Sequence, residues 1–132
     1  MRVQDIMTRA PITAHPHHTI SHALQLMIDG GFHHLPVVSR QGHLIGVVTL
    51  RDCRVGLNLP QLPVSDVDWQ PPVSSIQLRQ VMSRSPIVTT PETSIFDATS
   101  LMYSNGISCL PVMLDETLIG IITTSDLLLA SM

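Results

Sequence analysis

Apolar residues follow a helical spacing in two stretches of the chain. Those of the first stretch are Ile20, Ala23, Leu24 and Met27. The spacing i, i+3, i+4, i+7 predicts an amphipathic helix, with Thr19 as its N-cap and Gly30-Gly31 at its end. A second helix is predicted between the N-cap Ser94 and Asn105-Gly106.

Short runs rich in β-branched residues lie around these helices. "PITA" at residues 11–14 predicts a short strand before the first helix. "HLPVV" and "LIGVVT" are two further strands, and the polar turn "SRQGH" between them indicates a hairpin. A further helix is predicted to follow these strands from about Thr49, so the order of elements in this part of the chain is strand, helix, strand, strand, helix.

This order occurs twice because the chain contains an internal repeat. Residues 3–38 align with residues 78–113 without a gap, and one deletion near Gly42 then aligns "GVVTLRD" at 46–52 with "GIITTSD" at 120–126. The predicted division is repeat 1 at 1–56, a proline-rich linker at 57–77 and repeat 2 at 78–132. One copy is too small to hide its sheet, so we expect the two copies to pack sheet to sheet with pseudo-two-fold symmetry.

The ordered landmarks "DIM", "PIT", "HTISHALQLM", "HLPVV" and "GVVTLRD" resemble the cystathionine-β-synthase (CBS) domain, and two in tandem resemble a Bateman module. The resemblance implies an α/β (α+β) fold of two βαββα repeats. It also implies clefts between the repeats that bind AMP, ADP, ATP or S-adenosylmethionine and so control a partner protein. With no effector domain in these 132 residues, we expect a stand-alone regulatory module and no enzyme. The alternative is a ligand-independent module for dimerisation or protein interaction.

The repeated T-x-x-D motif has two interpretations. From the residues alone it is a capping box, in which Thr49 or Thr123 caps a helix and Asp52 or Asp126 occupies the third helical position. The resemblance implies that the aspartates accept hydrogen bonds from ribose hydroxyls while the threonines face phosphate. A carboxylate can accept from two hydroxyls at once, so one motif can serve both purposes.

The resemblance also implies further ligand-binding positions, for which ordinary core packing is the alternative. The adenine would be lined by Ile12, Thr13, His34, Leu35 and Pro36 in repeat 1, and by Ile87, Val88, Cys109, Leu110 and Pro111 in repeat 2. Arg51 in the first motif corresponds to Ser125 in the second. Arg51 either favours a phosphate-bearing ligand in the first site or is a solvated helix charge.

Composition limits the class of protein. Hydrophobic residues make up 44% of the chain but aromatic residues only 3%, so an aliphatic core of α/β type is expected. The net charge is −3 and the basic residues are seven arginines, which argues against nucleic-acid binding. The chain shows no signal-peptide core and no apolar run of membrane-spanning length, so we expect a cytoplasmic protein without membrane contact.

Three remaining features concern metal, linker and assembly. All seven histidines lie in repeat 1, including the "HPHH" run, but their spacing matches no known zinc site and no metal is expected. Trp69 in the linker is expected to cover apolar surface, with stacking on a ligand as the alternative, and it is a candidate dimer contact. A homodimer is expected because the apolar helix residues exceed what one small core can hide; these are Leu24, Met27, Leu101, Met102 and Leu127–Leu129.

Overall fold

The computed structural model describes residues 1–57 and 75–132. These residues form two compact units, which we call the central unit (Ile12–Ser85) and the terminal unit (Met1–Pro11 with Pro86–Met132). Linker residues 58–74, with the predicted role of Trp69, lie outside the described residues.

Each unit combines short helices with a three-stranded antiparallel sheet, which confirms the mixed α/β class. The helices are α1 (Val3–Ile6), α2 (Ile20–Gly30), α3 (Leu50–Gly56), α4 (Ile95–Asn105) and α5 (Thr124–Ala130), and Leu78–Gln80 form a short 3-10 helix. The strands are β1 (Thr8–Arg9), β2 (His34–Val38), β3 (Leu44–Thr49), β4 (Ser83–Arg84), β5 (Cys109–Leu114) and β6 (Thr117–Thr123). The strand order is β2-β3-β4 in the central unit and β1-β6-β5 in the terminal unit.

The two long helices begin and end where the sequence predicts. Thr19 Oγ1 accepts a hydrogen bond from the His22 amide at the start of α2, and Ser94 Oγ accepts one from the Asp97 amide at the start of α4. Both helices end at a glycine in the left-handed conformation. The capping residues therefore determine the length of both helices.

The third strand of each sheet is not the one predicted. "PITA" contributes only Ala14, through a single parallel bridge in which its amide donates to the Pro36 carbonyl (3.0 Å) and its carbonyl accepts from the Val38 amide (2.8 Å). The predicted strand was wrong because the flanking Pro11 and Pro16 have no amide hydrogen with which to extend the pairing.

The first residues of each repeat instead supply the third strand of the other repeat's sheet. β1 pairs with β6 of the second repeat, and β4 pairs with β3 of the first. Val3 and Met7 are buried in the terminal unit, while Leu78 and Met82 are buried in the central unit. The leading segments 3–9 and 78–84 are thus exchanged between the repeats. Compact units and sequence repeats divide the chain differently, and the boundaries 1–56, 57–77 and 78–132 stay a prediction.

The two cores are aliphatic, as the composition predicts. The central core contains Ala14, Ile20, Ala23, Leu24, Met27, Leu35, Val37, Val48, Cys53, Leu78 and Met82. The terminal core contains Val3, Met7, Ala98, Met102, Leu110, Val112 and Ile122. The expectation that Leu24, Met27 and Met102 exceed the core was wrong, because these side chains are 0–3% exposed within their own units.

No helix in the described parts of the chain is both long enough and apolar enough to span a bilayer.

Candidate functional site

The T-x-x-D motif lies where a strand runs directly into a helix. Thr49 ends β3 and caps α3, so Asp52 occupies the third position of the helix. The Thr49 amide donates to Asp52 Oδ2 (2.9 Å) and the Asp52 amide donates to Thr49 Oγ1 (3.0 Å). This reciprocal pair confirms the predicted capping box. The second carboxylate oxygen, Oδ1, is not part of it.

The second motif differs in the role of its hydroxyl group. The Thr123 amide again donates to Asp126 Oδ2 (2.9 Å), but the Thr123 hydroxyl donates to the same oxygen at 3.3 Å. In the first motif the hydroxyl accepts from an amide, which leaves its hydrogen available to a ligand. The two motifs therefore share a carboxylate position but not a hydroxyl orientation.

The motif glycines are required by the exchanged leading segments. A Cβ atom at Gly46 would lie 2.8 Å from both Met82 Sδ and the Ser83 carbonyl oxygen. At Gly120 it would lie 2.7 Å from Met7 Sδ and 2.9 Å from the Thr8 carbonyl oxygen. At each repeated glycine, the leading segment of the other repeat pairs so closely with the motif strand that there is no room for a Cβ atom. Sequence reasoning missed this role, although the paired Met7 and Met82 were the signal.

Strand pairing brings the start of β2 or β5 against the motif. His34 lies opposite Thr49 and Cys109 lies opposite Thr123. The first helical amide of α3 donates to the His33 carbonyl (3.0 Å), and that of α5 donates to the Ser108 carbonyl (3.1 Å). The predicted residues before each hairpin proline thus lie opposite the threonine of the motif.

Several other predicted site residues are buried in the cores. Leu35 and Leu110 are 0% exposed, and Pro36 and Pro111 are also fully buried. Only their backbone groups could therefore line an open site. Their role in ligand binding stays a prediction.

The residues predicted to line the adenine lie on the neighbouring segment. Ile12, Ile87 and Val88 are 38–50% exposed, and Thr13 is half-buried. Ile12 and Thr13 precede Ala14, which bridges to Val37, and Ile87 and Val88 precede Thr89, which bridges to Val112. The backbone thus places each apolar pair beside the hairpin of its own unit.

Burial and nearby charge shift the pKa of two groups at the first motif. Burial, with a smaller effect of His33, lowers the pKa of His34, while Asp52 opposes the shift. His34 is therefore neutral at pH 7. Burial, followed by the charge of Asp52, raises the pKa of Cys53 to about 12, so this thiol remains protonated inside the core.

Charge distinguishes the two motifs at the second helical position. Arg51 and Ser125 are both exposed there, so the cation predicted for the first motif has no counterpart in the second.

Within residues 1–57 and 75–132, no three His, Cys, Asp or Glu side chains are grouped as metal ligands.

Two stretches, residues 3–57 and 78–132, match the sequence model of the CBS domain. The chain belongs to the CBS domain family. Its CBS pair is 31% identical over 128 residues to a CBS domain-containing protein of Dictyostelium discoideum, a match covering 96% of this chain and 88% of the relative. The pair spans less of other curated relatives, 43% and 22% for two from Methanocaldococcus jannaschii.

Solved structures of CBS pairs have the same fold. The CBS domain pair of protein MJ0100, in complex with 5′-methylthioadenosine and S-adenosyl-L-methionine, is 26% identical with a TM-score of 0.84, covering 100% of each chain. CBSX2 in complex with AMP is 27% identical with a TM-score of 0.78, covering 98% of this chain and 95% of that one. These structures confirm the tandem CBS fold inferred from the repeated motifs.

Proposed function

We propose that this CBS pair is a regulatory module that binds an adenosine-containing ligand at its T-x-x-D sites and controls a partner protein. The observation that carries the proposal is the repeated carboxylate at the third position of α3 and α5. The bound AMP of CBSX2 and the adenosyl ligands of MJ0100 support the same ligand class. Cytoplasmic location and the lack of catalytic activity belong to this proposal.

The geometry of the first motif suits a nucleoside. The capping bonds use Asp52 Oδ2 and hold the carboxylate in place, while Oδ1 lies outside them and can accept from ribose hydroxyls. The Thr49 hydroxyl keeps its hydrogen for a phosphate oxygen, and the neutral imidazole of His34 opposite Thr49 adds no charge beside an adenine. Phosphate-bearing ligands should therefore prefer the central unit.

A thermal-shift screen tests this function. We expect AMP, ADP, ATP or S-adenosylmethionine to raise the unfolding midpoint by several degrees, because a ligand at about 100 times its Kd adds roughly 2.7 kcal/mol to the folded state. The chain is screened with each compound, and with ribose, which has neither adenine nor phosphate, as the control. If none of the four compounds shifts the midpoint, the proposed function is wrong.

Arg51 is expected to contribute to the binding of a ligand's phosphate group but not to the binding of its adenosine part. Arg51→Ser should lower the affinity for AMP about threefold to tenfold and leave the affinity for adenosine unchanged, because a guanidinium stabilises a bound phosphate but not an uncharged ligand. Affinities are measured by calorimetry, with the exposed Arg2→Ser as the matched control. Equal losses for AMP and adenosine would show that Arg51 does not contact phosphate.

A ligand-independent interaction module is the second candidate function. It is favoured by the capping bonds, which explain the motif without a ligand, and by Leu128 and Leu129, each 68% exposed on α5. A homodimer remains part of the proposal in either case. Light scattering at micromolar concentration should give twice the 14.5 kDa chain mass, and a monomer mass would contradict it.

A further inference from the structure

A histidine-lined concavity lies at the opposite end of the central hairpin from the T-x-x-D motif. It measures about 400 Å³, and its lining residues are His15, Pro16, His17, His18, Ser39, Arg40 and Gln41. β2 runs from His34, opposite Thr49, to Val38 beside the concavity, a length of roughly 13 Å for an extended strand. We call this concavity the hairpin-end site.

Hydrogen bonds fix the tautomers of two imidazoles there. His15 Nδ1 lies 3.0 Å from the Val38 carbonyl oxygen, which can only accept, so His15 Nδ1 carries a hydrogen. His18 Nδ1 accepts from the His15 amide (3.0 Å), so the hydrogen of neutral His18 is on Nε2. His18 therefore presents an N–H donor at Nε2.

These tautomers disfavour a shared metal ion. A metal needs a ring nitrogen lone pair, but the lone pair of His18 is occupied by the His15 amide. The rings of His18 and His22 are tilted by 41° with centroids 4.1 Å apart, and those of His15 and His18 are tilted by 54° with centroids 5.2 Å apart. Burial, and then His22, His15 and His17, lower the pKa of His18, so it stays a neutral donor.

The charged and titratable groups around the site are cationic or neutral. Arg40 comes from the hairpin turn, His17 from the preceding loop and His22 from α2. Arg79 adjoins the site through its amide, which donates to the Pro16 carbonyl (3.0 Å). Among the described lining residues there is no carboxylate. Hydrogen-bond donors and the positive charge of Arg40 therefore converge on a concavity whose described lining contains no carboxylate.

The terminal unit contains the same concavity with a different charge. It measures about 550 Å³ and includes Thr90, Glu92 and Asp115, which occupy the positions of His15, His17 and Arg40. Arg9 also lines it, donating to the Gln4 carbonyl as Arg84 donates to the Arg79 carbonyl in the central unit. The backbone frame is repeated, but the central copy carries His17 and Arg40 where the terminal copy carries Glu92 and Asp115.

We propose that the hairpin-end site of the central unit binds a doubly charged tetrahedral oxyanion, namely a phosphate group that is free or part of a phosphomonoester. Arg40 supplies a fixed positive charge, and His18 Nε2 and the Ser39 hydroxyl donate hydrogen bonds. This site is independent of the adenosine sites proposed above.

NMR titration of the ¹⁵N-labelled full chain with inorganic sulfate tests the proposal. Sulfate is chosen because it carries the same double charge throughout the neutral pH range. At constant ionic strength in chloride, we expect saturable shifts centred on His15, His18 and Arg40.

Variants distinguish a specific site from general screening. Arg40→Gln should weaken sulfate binding at least about fivefold, because it removes the fixed positive charge of the site. The matched control is Asp115→Asn at the equivalent turn position of the terminal unit, which should leave the sulfate affinity unchanged. Inorganic phosphate and ribose 5-phosphate are then compared, and the tighter ligand identifies a free ion or a phosphomonoester.

Three results would overturn the proposal. The first is an absence of saturable shifts at His15, His18 and Arg40. The second is equal sulfate affinity in Arg40→Gln and the parent. The third is a response of the same imidazoles to micromolar Zn²⁺ but not to sulfate, which would make the cluster a metal site.

Discussion

Gly120→Ala should lower the free energy of unfolding by about 1–3 kcal/mol, the usual cost of forcing an extra methyl group into a well-packed position. The new Cβ would meet Met7 Sδ at 2.7 Å and the Thr8 carbonyl oxygen at 2.9 Å. A methionine side chain can move aside, but the Thr8 backbone cannot do so without loosening the pairing of β1 with β6. Gly46→Ala should lower the free energy of unfolding by a similar amount, because its Cβ would meet Met82 and the Ser83 carbonyl in the same way.

Urea unfolding followed by circular dichroism measures the effect. The control is Thr117→Ala on the same strand, where the side chain is exposed and the expected change is within about 0.5 kcal/mol. If Gly120→Ala is as stable as the parent, the leading segment 3–9 does not pack tightly against Gly120, and the pairing of β1 with β6 is weaker than described here.

Asp52→Asn and Asp126→Asn should each weaken an adenosine ligand by about 1.5–3 kcal/mol, the range of hydrogen bonds to charged groups. An asparagine can still accept the capping bond through its amide oxygen. Its NH₂ group then takes the place of Oδ1, and an NH₂ group cannot accept from ribose hydroxyls. If the carboxylates only cap their helices, stability should fall by about 1 kcal/mol or less and binding should not change.

The experiment compares ligand-induced shifts of the unfolding midpoint in the parent, both single variants and the double variant. Ser94→Ala is the matched control, because it removes the N-cap of α4, outside both motifs, and should cost about 1 kcal/mol without altering binding. A ligand-induced shift that survives in the double variant would exclude the ribose contact.

The sequence was sufficient for features that depend on neighbouring residues. Thr19 and Ser94 cap their helices, and Thr49 forms a capping box with Asp52, because each hydrogen bond spans only three residues. The hairpin in each repeat followed from β-branched runs separated by a polar turn. Local chemistry determines all of these features, so one sequence reveals them.

Features that depend on distant residues were missed. "PITA" has the composition of a strand, but Pro11 and Pro16 limit its pairing to the single bridge of Ala14 with β2. β1 and β4 are two residues long and carry no periodic signal, yet they complete the sheets. The burial of Leu35 and Leu110 limited the predicted site for a similar reason, because a position beside the motif can still point its side chain into the core.

The exchange of leading segments also determines when each unit can fold during synthesis. The central unit is one continuous segment, Ile12–Ser85, and is complete once that segment has left the ribosome. The terminal unit needs both β1 and β6, and β6 is made much later than β1. At roughly 5–20 residues per second, Val3 and Met7 remain exposed for several seconds before the terminal core can form. The apolar residues of the leading segment 3–9 are thus buried only after the central unit is complete.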